Sequence, residues 1–189
     1  MKIGIDIDDT MADTFEYLIP YIADFFNVDI KYLKDNNISY SNLPKEMKEQ
    51  ELEFAKKYYD KVIPSTPFKP KVAEYIDKIK ELGHEIIVIT ARDKTLYTDE
   101  YKTTIEELKN NNIHYDKLIC DFDKARVCQN ENIDLLIDDC IANCNKVNEL
   151  GIETILFSSK GNINDKTDLY RVDNWKEIYE KIKKGIDLL

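Results

Sequence analysis

The spacing of apolar residues predicts strands that alternate with helices over most of the chain. Apolar runs rich in β-branched residues are typical of strands buried on both faces of a sheet. The predicted strands cover residues 2–7, 86–89, 117–120, 133–137 and 152–157. Apolar residues three and four positions apart predict helices between them, such as the helix over 72–82 that ends at Gly83. This alternation indicates right-handed crossovers and a parallel sheet with helices on both faces.

The segment that follows the first strand has a different pattern. From about residue 14 to 67 it contains no convincing strand, and amphipathic helices are predicted on either side of a polar stretch at 27–44. Pro20 interrupts the first of these helices, so that the helix either starts or kinks there. We expect residues 1–13 and 68–189 to form a core domain, with 14–67 as a helical insertion.

Composition narrows the classes of function. The chain has 189 residues, of which 43% are hydrophobic and 34% charged, as expected of one globular core domain. A net charge of −10 argues against a nucleic-acid polymer as partner, but permits a small phosphorylated substrate. No stretch approaches the roughly 20 apolar residues of a membrane span. With no signal-peptide pattern and four cysteines without metal-binding spacing, we expect reduced thiols in a cytoplasmic protein.

Three acids follow the first strand within four residues, namely Asp6, Asp8 and Asp9. Clustered carboxylates at the end of a buried strand repel one another and resist desolvation. A divalent cation among their oxygens makes such a cluster favourable. We therefore expect Asp6 and Asp8 to be a metal-assisted catalytic pair.

Polar residues also follow three of the other predicted strands. In parallel α/β sheets, sites form at the carboxyl ends of the strands, which meet at one edge. The residues at the four ends are Asp6, Asp8 and Asp9; Thr90 and Arg92; Asp121, Asp123 and Lys124; and Asp138 and Asp139. Two groups of acids, a hydroxyl and an ammonium group at one edge predict a site for phosphoryl transfer.

Each type of group has a function in that chemistry. Mg²⁺ between the two sets of carboxylates would cancel their repulsion of an anionic phosphate monoester. A lysine adds positive charge, and a threonine hydroxyl with nearby backbone N–H groups holds another phosphate oxygen. One carboxylate attacks to form an aspartyl-phosphate, and a second gives a proton to the leaving oxygen and then takes one from water.

These residues make the sequence resemble the haloacid dehalogenase superfamily of phosphotransferases. The stretch Asp6-Ile-Asp8-Asp9-Thr10 matches the first motif of that family, DxDx[T/V], and Thr90 after an apolar strand matches the second. Lys124 matches the third motif, and Asp138-Asp139 matches the paired-acid form of the fourth. The resemblance implies a Rossmann-like parallel sheet flanked by helices, with a small helical type-1 cap at the insertion after strand one.

The resemblance also implies roles for the acids. Asp6 would be the nucleophile and Asp8 the general acid/base. Asp6, the carbonyl oxygen of Asp8, and Asp139 would bind Mg²⁺, and Asp138 would bind it directly or through water. An aspartate at position 8 is typical of the phosphatases and mutases of the family, whereas the dehalogenases lack it.

The phosphate group of the substrate would be bound by residues of the second and third motifs. Thr90, the adjacent Ala91 and Lys124 are expected to hold phosphate oxygens. Arg92 is expected either to contact the substrate or to form a surface ion pair. Lys117 precedes its strand and should lie at the wrong end of the sheet, and Lys94 is a less apt alternative to Lys124.

Within the superfamily, the sequence is most similar to the 5′(3′)-deoxyribonucleotidases and their small bacterial relatives. The shared stretches are Gly4-Ile-Asp6-Ile-Asp8, Leu18-Ile-Pro20-Tyr21, Thr90-Ala-Arg92, Ile155-Leu-Phe157 and Arg171-Val-Asp-Asn-Trp175. This similarity implies a nucleoside monophosphate substrate. Asp9 stands where the animal enzymes have glycine. Four aromatic residues of the insertion could stack on a base or pack helices together: Tyr40, Phe54, Tyr58 and Tyr59.

Other functions remain open at this stage. The chain could be a phosphatase for another small phosphorylated metabolite. It could also be a signalling module, because receiver domains combine an acid pair, a phosphorylated aspartate, a threonine and a lysine. In receiver domains, however, the acid pair follows strand one, whereas here the pair Asp138-Asp139 comes last. A third possibility is a binding protein that kept the fold and lost turnover.

Overall fold

The computed structural model describes residues 1–186, apart from the side chains of Ser41 and Ile186. Residues 187–189 of the predicted core domain lie outside the described residues. Six parallel strands form one sheet in the order β3-β2-β1-β4-β5-β6. The strands are β1 (Lys2–Ile5), β2 (Glu85–Thr90), β3 (Lys117–Cys120), β4 (Leu135–Asp138), β5 (Glu153–Phe157) and β6 (Arg171–Val172). The predicted parallel α/β fold is confirmed, and the two-residue β6 was not predicted.

Nine α-helices connect the strands in the described part of the chain. They are α1 (Thr14–Phe26), α2 (Ile30–Asp35), α3 (Lys45–Glu49), α4 (Glu51–Val62), α5 (Val72–Glu81), α6 (Glu100–Asn110), α7 (Lys124–Glu131), α8 (Ile141–Asn148) and α9 (Trp175–Ile186). Helix α1 continues through Pro20, so a start at that residue is wrong. The helical region predicted after the polar stretch at 27–44 is divided at Gln50 into α3 and α4, and α7 was not predicted.

Apolar side chains cover both faces of the sheet. Ile3, Ile5 and Ile7 are fully buried on one face, where they pack with side chains of α5 and α9. On the other face, Ile89 and Leu136 pack with side chains of α7 and α8. Gly4 lies against this second layer, because a Cβ atom there would stand 2.9 Å from Cδ1 of Ile89. The missing side chain at position 4 thus leaves room for the side chains of Ile89 and Leu136 to pack over the central strand.

A separate apolar cluster lies within the insertion. Helices α1, α2, α3 and α4 contribute most of its buried side chains, and Tyr97 from the loop after β2 joins them. The same loop is hydrogen-bonded to α4, since the backbone N–H of Thr98 donates to Asp60 over 3.0 Å. The hydroxyl group of Thr103 on α6 donates to the other oxygen of Asp60. The division into a core and a cap at residues 13/14 and 67/68 stays a prediction.

Helix α6 buries a polar face. The apolar residues whose spacing predicts it are partly on the outside, with Tyr101 41% and Ile105 47% exposed. The buried side instead carries Thr104 and Glu107, both 0% exposed, and Leu108.

None of the described helices is both long enough and apolar enough to cross a membrane.

Candidate active site

The carboxyl ends of β1, β2 and β4 meet the start of α7 at one open cleft of about 470 Å³. The predicted residues that line it are Asp6, Asp8, Ala91, Lys124, Asp138 and Asp139. Asp9 lines it as well, Tyr40 contributes from the insertion, and residues 140–143 and 161–165 complete the wall. Most of the site residues predicted from the sequence therefore line one cavity.

Lys124 joins the two groups of acids. Its Nζ atom lies 2.6 Å from Oδ1 of Asp6 and 2.6 Å from Oδ2 of Asp138. It is 4% exposed and begins α7, whose N-cap is the Asp123 side chain. Burial lowers the pKa of Lys124, but Asp138 and Asp6 raise it more, so that the pKa lies above its usual range. The amine is therefore a permanent cation between two carboxylates.

Three carboxylates form a cluster that fits a divalent cation. One oxygen each from Asp6, Asp138 and Asp139 lies within 4.8 Å of the others. Burial, with Asp138 and Asp9 nearby, raises the pKa of Asp139 to about 7. Burial also raises the pKa of Asp6 well above its usual range, although Lys124 opposes this. Carboxylate oxygens are the donors that hard cations such as Mg²⁺ prefer, so the donor set fits such an ion.

Asp138 is held by several donors. Its Oδ1 atom accepts a hydrogen bond from the backbone N–H of Cys140 over 2.7 Å. Its Oδ2 atom accepts hydrogen bonds from Lys124 and from the side-chain amide of Asn143. These contacts fix its carboxylate plane. Whether Asp138 contacts a cation directly or through water stays a prediction.

Asp8 is held by a different set of donors. Arg92 donates two hydrogen bonds to Asp8, from Nε to Oδ2 at 3.0 Å and from Nη2 to Oδ1 at 2.8 Å. The hydroxyl group of Thr14, the first residue of α1, donates to Oδ1 at 2.8 Å. Burial tends to raise the pKa of Asp8, but Arg92 and Thr14 outweigh it, so the pKa lies below its usual range. Asp8 is thus a carboxylate with a fixed orientation.

Arg92 is buried rather than on the surface, so the surface ion pair expected as one alternative is wrong. Arg92 is 3% exposed, and its Nη1 atom donates to Glu107 and to the hydroxyl group of Thr104. Burial raises the pKa of Glu107 to about 7, against the influence of Arg92. The guanidinium group is therefore engaged with protein side chains on two sides, and its expected contact with substrate stays a prediction.

Thr90 stands at the end of β2 with its hydroxyl group uncommitted. It is 0% exposed, and Oγ1 has no hydrogen-bond partner among residues 1–186. A buried hydroxyl without a partner is unfavourable in the absence of a ligand. The next residue, Ala91, lines the cleft. Thr90 itself is absent from the lining of the cleft, so its expected role at a phosphate oxygen stays a prediction.

Asp9 adopts a left-handed backbone conformation, with φ at 58°. Such a conformation is uncommon for residues other than glycine and is best tolerated by Asn and Asp. Its Oδ1 atom accepts a hydrogen bond from the backbone N–H of Phe15 at 3.1 Å, in the first turn of α1. Burial raises the pKa of Asp9 to about 7. Asp9 therefore closes the turn that leads from β1 into the insertion.

The sequence did not single out Asn162 and Arg171 as site residues. The side-chain amide of Asn162 donates to the backbone carbonyl groups of Asp139 and Phe157, at 2.7 and 2.8 Å. Arg171 on β6 donates to Oδ1 of Asn162. A single asparagine in a polar loop carries no periodic signal. Only the sheet order, which places β6 beside β5, brings these residues together.

The remaining candidates lie elsewhere. Lys117 pairs with Glu131 on α7 at 2.7 Å, at the start of its strand, and Lys94 is exposed in the loop after β2. Asp121 accepts a hydrogen bond from the backbone N–H of Asp123, and Asp123 caps α7. These two acids are turn and capping residues, as expected.

The fold and the cleft together define a hydrolase of the haloacid dehalogenase superfamily, in which acids follow the first and fourth strands and a lysine begins the helix between them. The chain belongs to the family described as "5' nucleotidase, deoxy (Pyrimidine), cytosolic type C protein", which it matches over residues 1–186. It is therefore a phosphoric monoester hydrolase of the nucleotidase group. This membership decides against the signalling module and the inactive binding protein.

Similar proteins agree with this assignment. The chain is 23% identical to "Putative nucleotidase OB0422" of Oceanobacillus iheyensis, over 95% of this chain and 98% of the relative. Its fold is similar to that of SP0104 from Streptococcus pneumoniae, a haloacid dehalogenase-like hydrolase, with a TM-score of 0.69 and 17% identity over 95% and 97% of the two chains. A predicted phosphatase from Clostridium acetobutylicum also gives a TM-score of 0.69, with 15% identity over 97% and 98%.

Proposed function

We propose that this protein is a Mg²⁺-dependent nucleotidase that removes the phosphate group of a nucleoside monophosphate through an aspartyl-phosphate intermediate. The observation that carries the proposal is the different environment of two carboxylates in one cleft. Asp6 lies against Lys124 and the acid cluster, whereas Asp8 lies against Arg92 and Thr14. Two carboxylates held apart in this way suit two different roles.

Asp6, Asp138 and Asp139 would hold the Mg²⁺ ion, together with the carbonyl oxygen of Asp8. The bound ion would neutralise the acid cluster and polarise the phosphoryl group. The raised pKa of Asp139 is compatible with this assignment, because burial and the neighbouring carboxylates disfavour its charged form, which a bound cation would stabilise. Asn162 would support the ion indirectly by fixing the backbone of Asp139.

The proposed reaction has two steps. A carboxylate oxygen of Asp6 attacks phosphorus, and the bond between phosphorus and the leaving oxygen breaks. Asp8 gives its proton to that oxygen, which leaves as the nucleoside hydroxyl group. In the second step Asp8 takes a proton from water, whose oxygen attacks phosphorus and releases Asp6 and inorganic phosphate. The proton returns Asp8 to its starting state.

Phosphate oxygens would be bound by three groups of this chain. Lys124 supplies a positive charge beside Asp6, and the uncommitted hydroxyl group of Thr90 supplies a donor. The backbone N–H of Ala91 supplies another at the wall of the cleft. A dianionic phosphate held near Asp8 would raise the pKa of that carboxyl group, which favours the protonated form needed for the first step.

The nucleoside would extend towards the insertion. Tyr40 lines the cleft, whereas Phe54 and Tyr59 are buried at 4% and 5% exposure inside the insertion. Tyr58 donates its hydroxyl group to Asp24 away from the cleft. The Tyr40 ring is held edge-on by Phe15, with ring centroids 4.9 Å apart. Among the four aromatic candidates we therefore assign base stacking to Tyr40.

The charge of the cleft predicts a preference for monophosphates. Its lining carries six acids, namely Asp6, Asp8, Asp9, Asp138, Asp139 and Asp165, and the single base Lys124 among the described residues. One phosphate can be matched by Lys124 and Mg²⁺, but a second would face acids, and a like-charge juxtaposition costs several kcal/mol. We expect kcat/KM for nucleoside monophosphates to exceed that for the diphosphates by at least roughly 100-fold.

A panel of purified substrates tests this expectation and the proposed function together. It contains deoxyribonucleoside and ribonucleoside 5′- and 3′-monophosphates, the matching diphosphates, and sugar phosphates, compared by kcat/KM. Comparable hydrolysis of diphosphates would contradict the charge argument. Hydrolysis of sugar phosphates without hydrolysis of any nucleotide would replace the nucleotidase by the second candidate, a phosphatase for another small metabolite.

Removal of the metal is expected to abolish turnover. Dialysis against EDTA should reduce activity to background, and added Mg²⁺ should restore it.

Asp139→Asn should raise the dissociation constant for Mg²⁺ by roughly tenfold or more, or about 1.4 kcal/mol, because one charged ligand is lost. Titration calorimetry with Mg²⁺ alone measures this, with the exposed Asp168→Asn as the matched control. An unchanged Mg²⁺ affinity in Asp139→Asn would contradict the ligand assignment.

A further inference from the structure

A second layer of polar residues lies behind Asp8, on the side away from the cleft. Arg92 donates with Nε and Nη2 to Asp8, and with Nη1 to Oε2 of Glu107 and Oγ1 of Thr104. Glu107 and Thr104 are each 0% exposed on the inner face of α6. The guanidinium group is therefore held by acceptors on two of its sides, Asp8 on one and Glu107 with Thr104 on the other.

Burial of this layer is costly. A buried carboxylate and guanidinium pair loses most of its hydration, and apolar residues of similar volume often serve stability equally well. Oε1 of Glu107 is also buried without a hydrogen-bond partner among the described residues. Helix α6 contains apolar residues, but two of them, Tyr101 and Ile105, lie on its outer face rather than beside Arg92. Stability of the helix alone does not account for a carboxylate at position 107.

We infer that Glu107 is a positioning residue that fixes the Arg92 guanidinium group and, through it, the Asp8 carboxyl group that protonates the leaving oxygen. The inference rests on the proposed function, since it assigns a purpose to Asp8. The Asp8 side chain is 29% exposed, and Arg92 donates two hydrogen bonds to it beside the one from Thr14. A misplacement of about 1 Å in a catalytic group can reduce the rate by as much as roughly 100-fold.

The geometry separates this role from substrate binding. Glu107 is beyond Arg92 and is absent from the lining of the cleft, so it touches neither the phosphate site nor the nucleoside site. Among the described residues, Lys124 forms its ion pairs with Asp6 and Asp138, and the Thr90 hydroxyl group forms no hydrogen bond with Glu107. Loss of the Glu107 carboxylate should therefore leave phosphate binding intact and reduce only the steps in which Asp8 moves a proton.

The test compares two leaving groups in Glu107→Ala, which removes the acceptor of the Arg92 Nη1 group, whereas a glutamine would keep one. Departure of an alkoxide from a nucleoside or alkyl phosphate needs protonation, whereas departure of dinitrophenolate does not. We expect kcat/KM for a nucleoside monophosphate to fall roughly tenfold or more, and kcat/KM for dinitrophenyl phosphate to stay within about twofold. The dissociation constant for inorganic phosphate should not change. Glu106→Ala, on the exposed face of the same helix, is the matched control and should behave as the wild type.

Further variants separate the inference from alternatives. In the Asp8→Asn background, Glu107→Ala should cause no additional loss, because the residue acts through Asp8. Equal losses for both leaving groups, or no loss for either, would overturn the inference. If Glu107→Ala does not fold, Thr104→Val removes the other acceptor of Nη1 and should show the same leaving-group dependence. Wild-type protein that hydrolyses neither substrate would refute the proposed function instead.

Discussion

Asp6→Asn is expected to reduce phosphatase turnover by a factor of at least roughly 10⁴, the largest effect of any single substitution in this protein. The amide is a far weaker nucleophile than the carboxylate, so that the aspartyl-phosphate cannot form. Hydrolysis of a nucleoside monophosphate and of an aryl phosphate should fail together, because both reactions begin with attack by Asp6. Steady-state assays with saturating Mg²⁺ measure the loss.

The substitution should leave the fold intact. The amide keeps a hydrogen-bond acceptor for the Nζ atom of Lys124, which lies 2.6 Å from Oδ1 of Asp6. It also removes one negative charge from a crowded cluster. The thermal midpoint should therefore stay close to that of the wild type, as should that of Asp35→Asn, the exposed charge-matched control. A folded Asp6→Asn protein that retains activity would contradict the nucleophile assignment.

Asp8→Asn is expected to reduce turnover of a nucleoside monophosphate by roughly 10²–10⁴-fold, the usual contribution of general acid–base catalysis. The amide oxygen can still accept hydrogen bonds from Nη2 of Arg92 and from Thr14, whereas the bond from Nε and the proton transfer are lost. Phosphate binding should change little, because Lys124 and Thr90 are untouched. Comparison of kcat with the dissociation constant for inorganic phosphate separates the two effects.

The affinity for Mg²⁺ provides the decisive control for Asp8→Asn. The carbonyl oxygen of residue 8 belongs to the backbone and remains available in the variant. Calorimetric titration with Mg²⁺ should therefore give nearly the wild-type dissociation constant. A loss of Mg²⁺ affinity as large as the loss of turnover would show that the carboxyl group of Asp8 binds the metal, which contradicts the proton-transfer role.

The strand ends of the site could be predicted from the sequence because their signals are local. An apolar run followed by acids, as at Asp6 and Asp138, marks a buried strand and the place where it reaches solvent. The parallel order then brings the ends together without further information. Lys124 was found in the same way, although the helix that it begins was not, because α7 has few apolar positions.

The second layer of the site could not be predicted, because its signals are not local. Glu107 is one of 37 acidic residues, and it lies on a helix whose apolar spacing points to the opposite face. Arg92 was recognised, but its burial depends on two partners that are distant in sequence. Asn162 belongs to a loop whose position depends on the two-residue β6. Such residues are revealed only by tertiary contacts.

The loop after β2 limits how the protein could be recombined with its relatives. Tyr97 packs against Tyr59 inside the insertion, with ring centroids 5.2 Å apart, and Thr98 is hydrogen-bonded to Asp60. The insertion therefore packs as one unit with the loop after β2, although the two are far apart in sequence. A chimera that exchanges residues 14–67 alone would leave Tyr97 without its partners. A functional graft must carry residues 93–99 of the donor as well, so that crossover points belong after Arg92 rather than only at the two ends of the insertion.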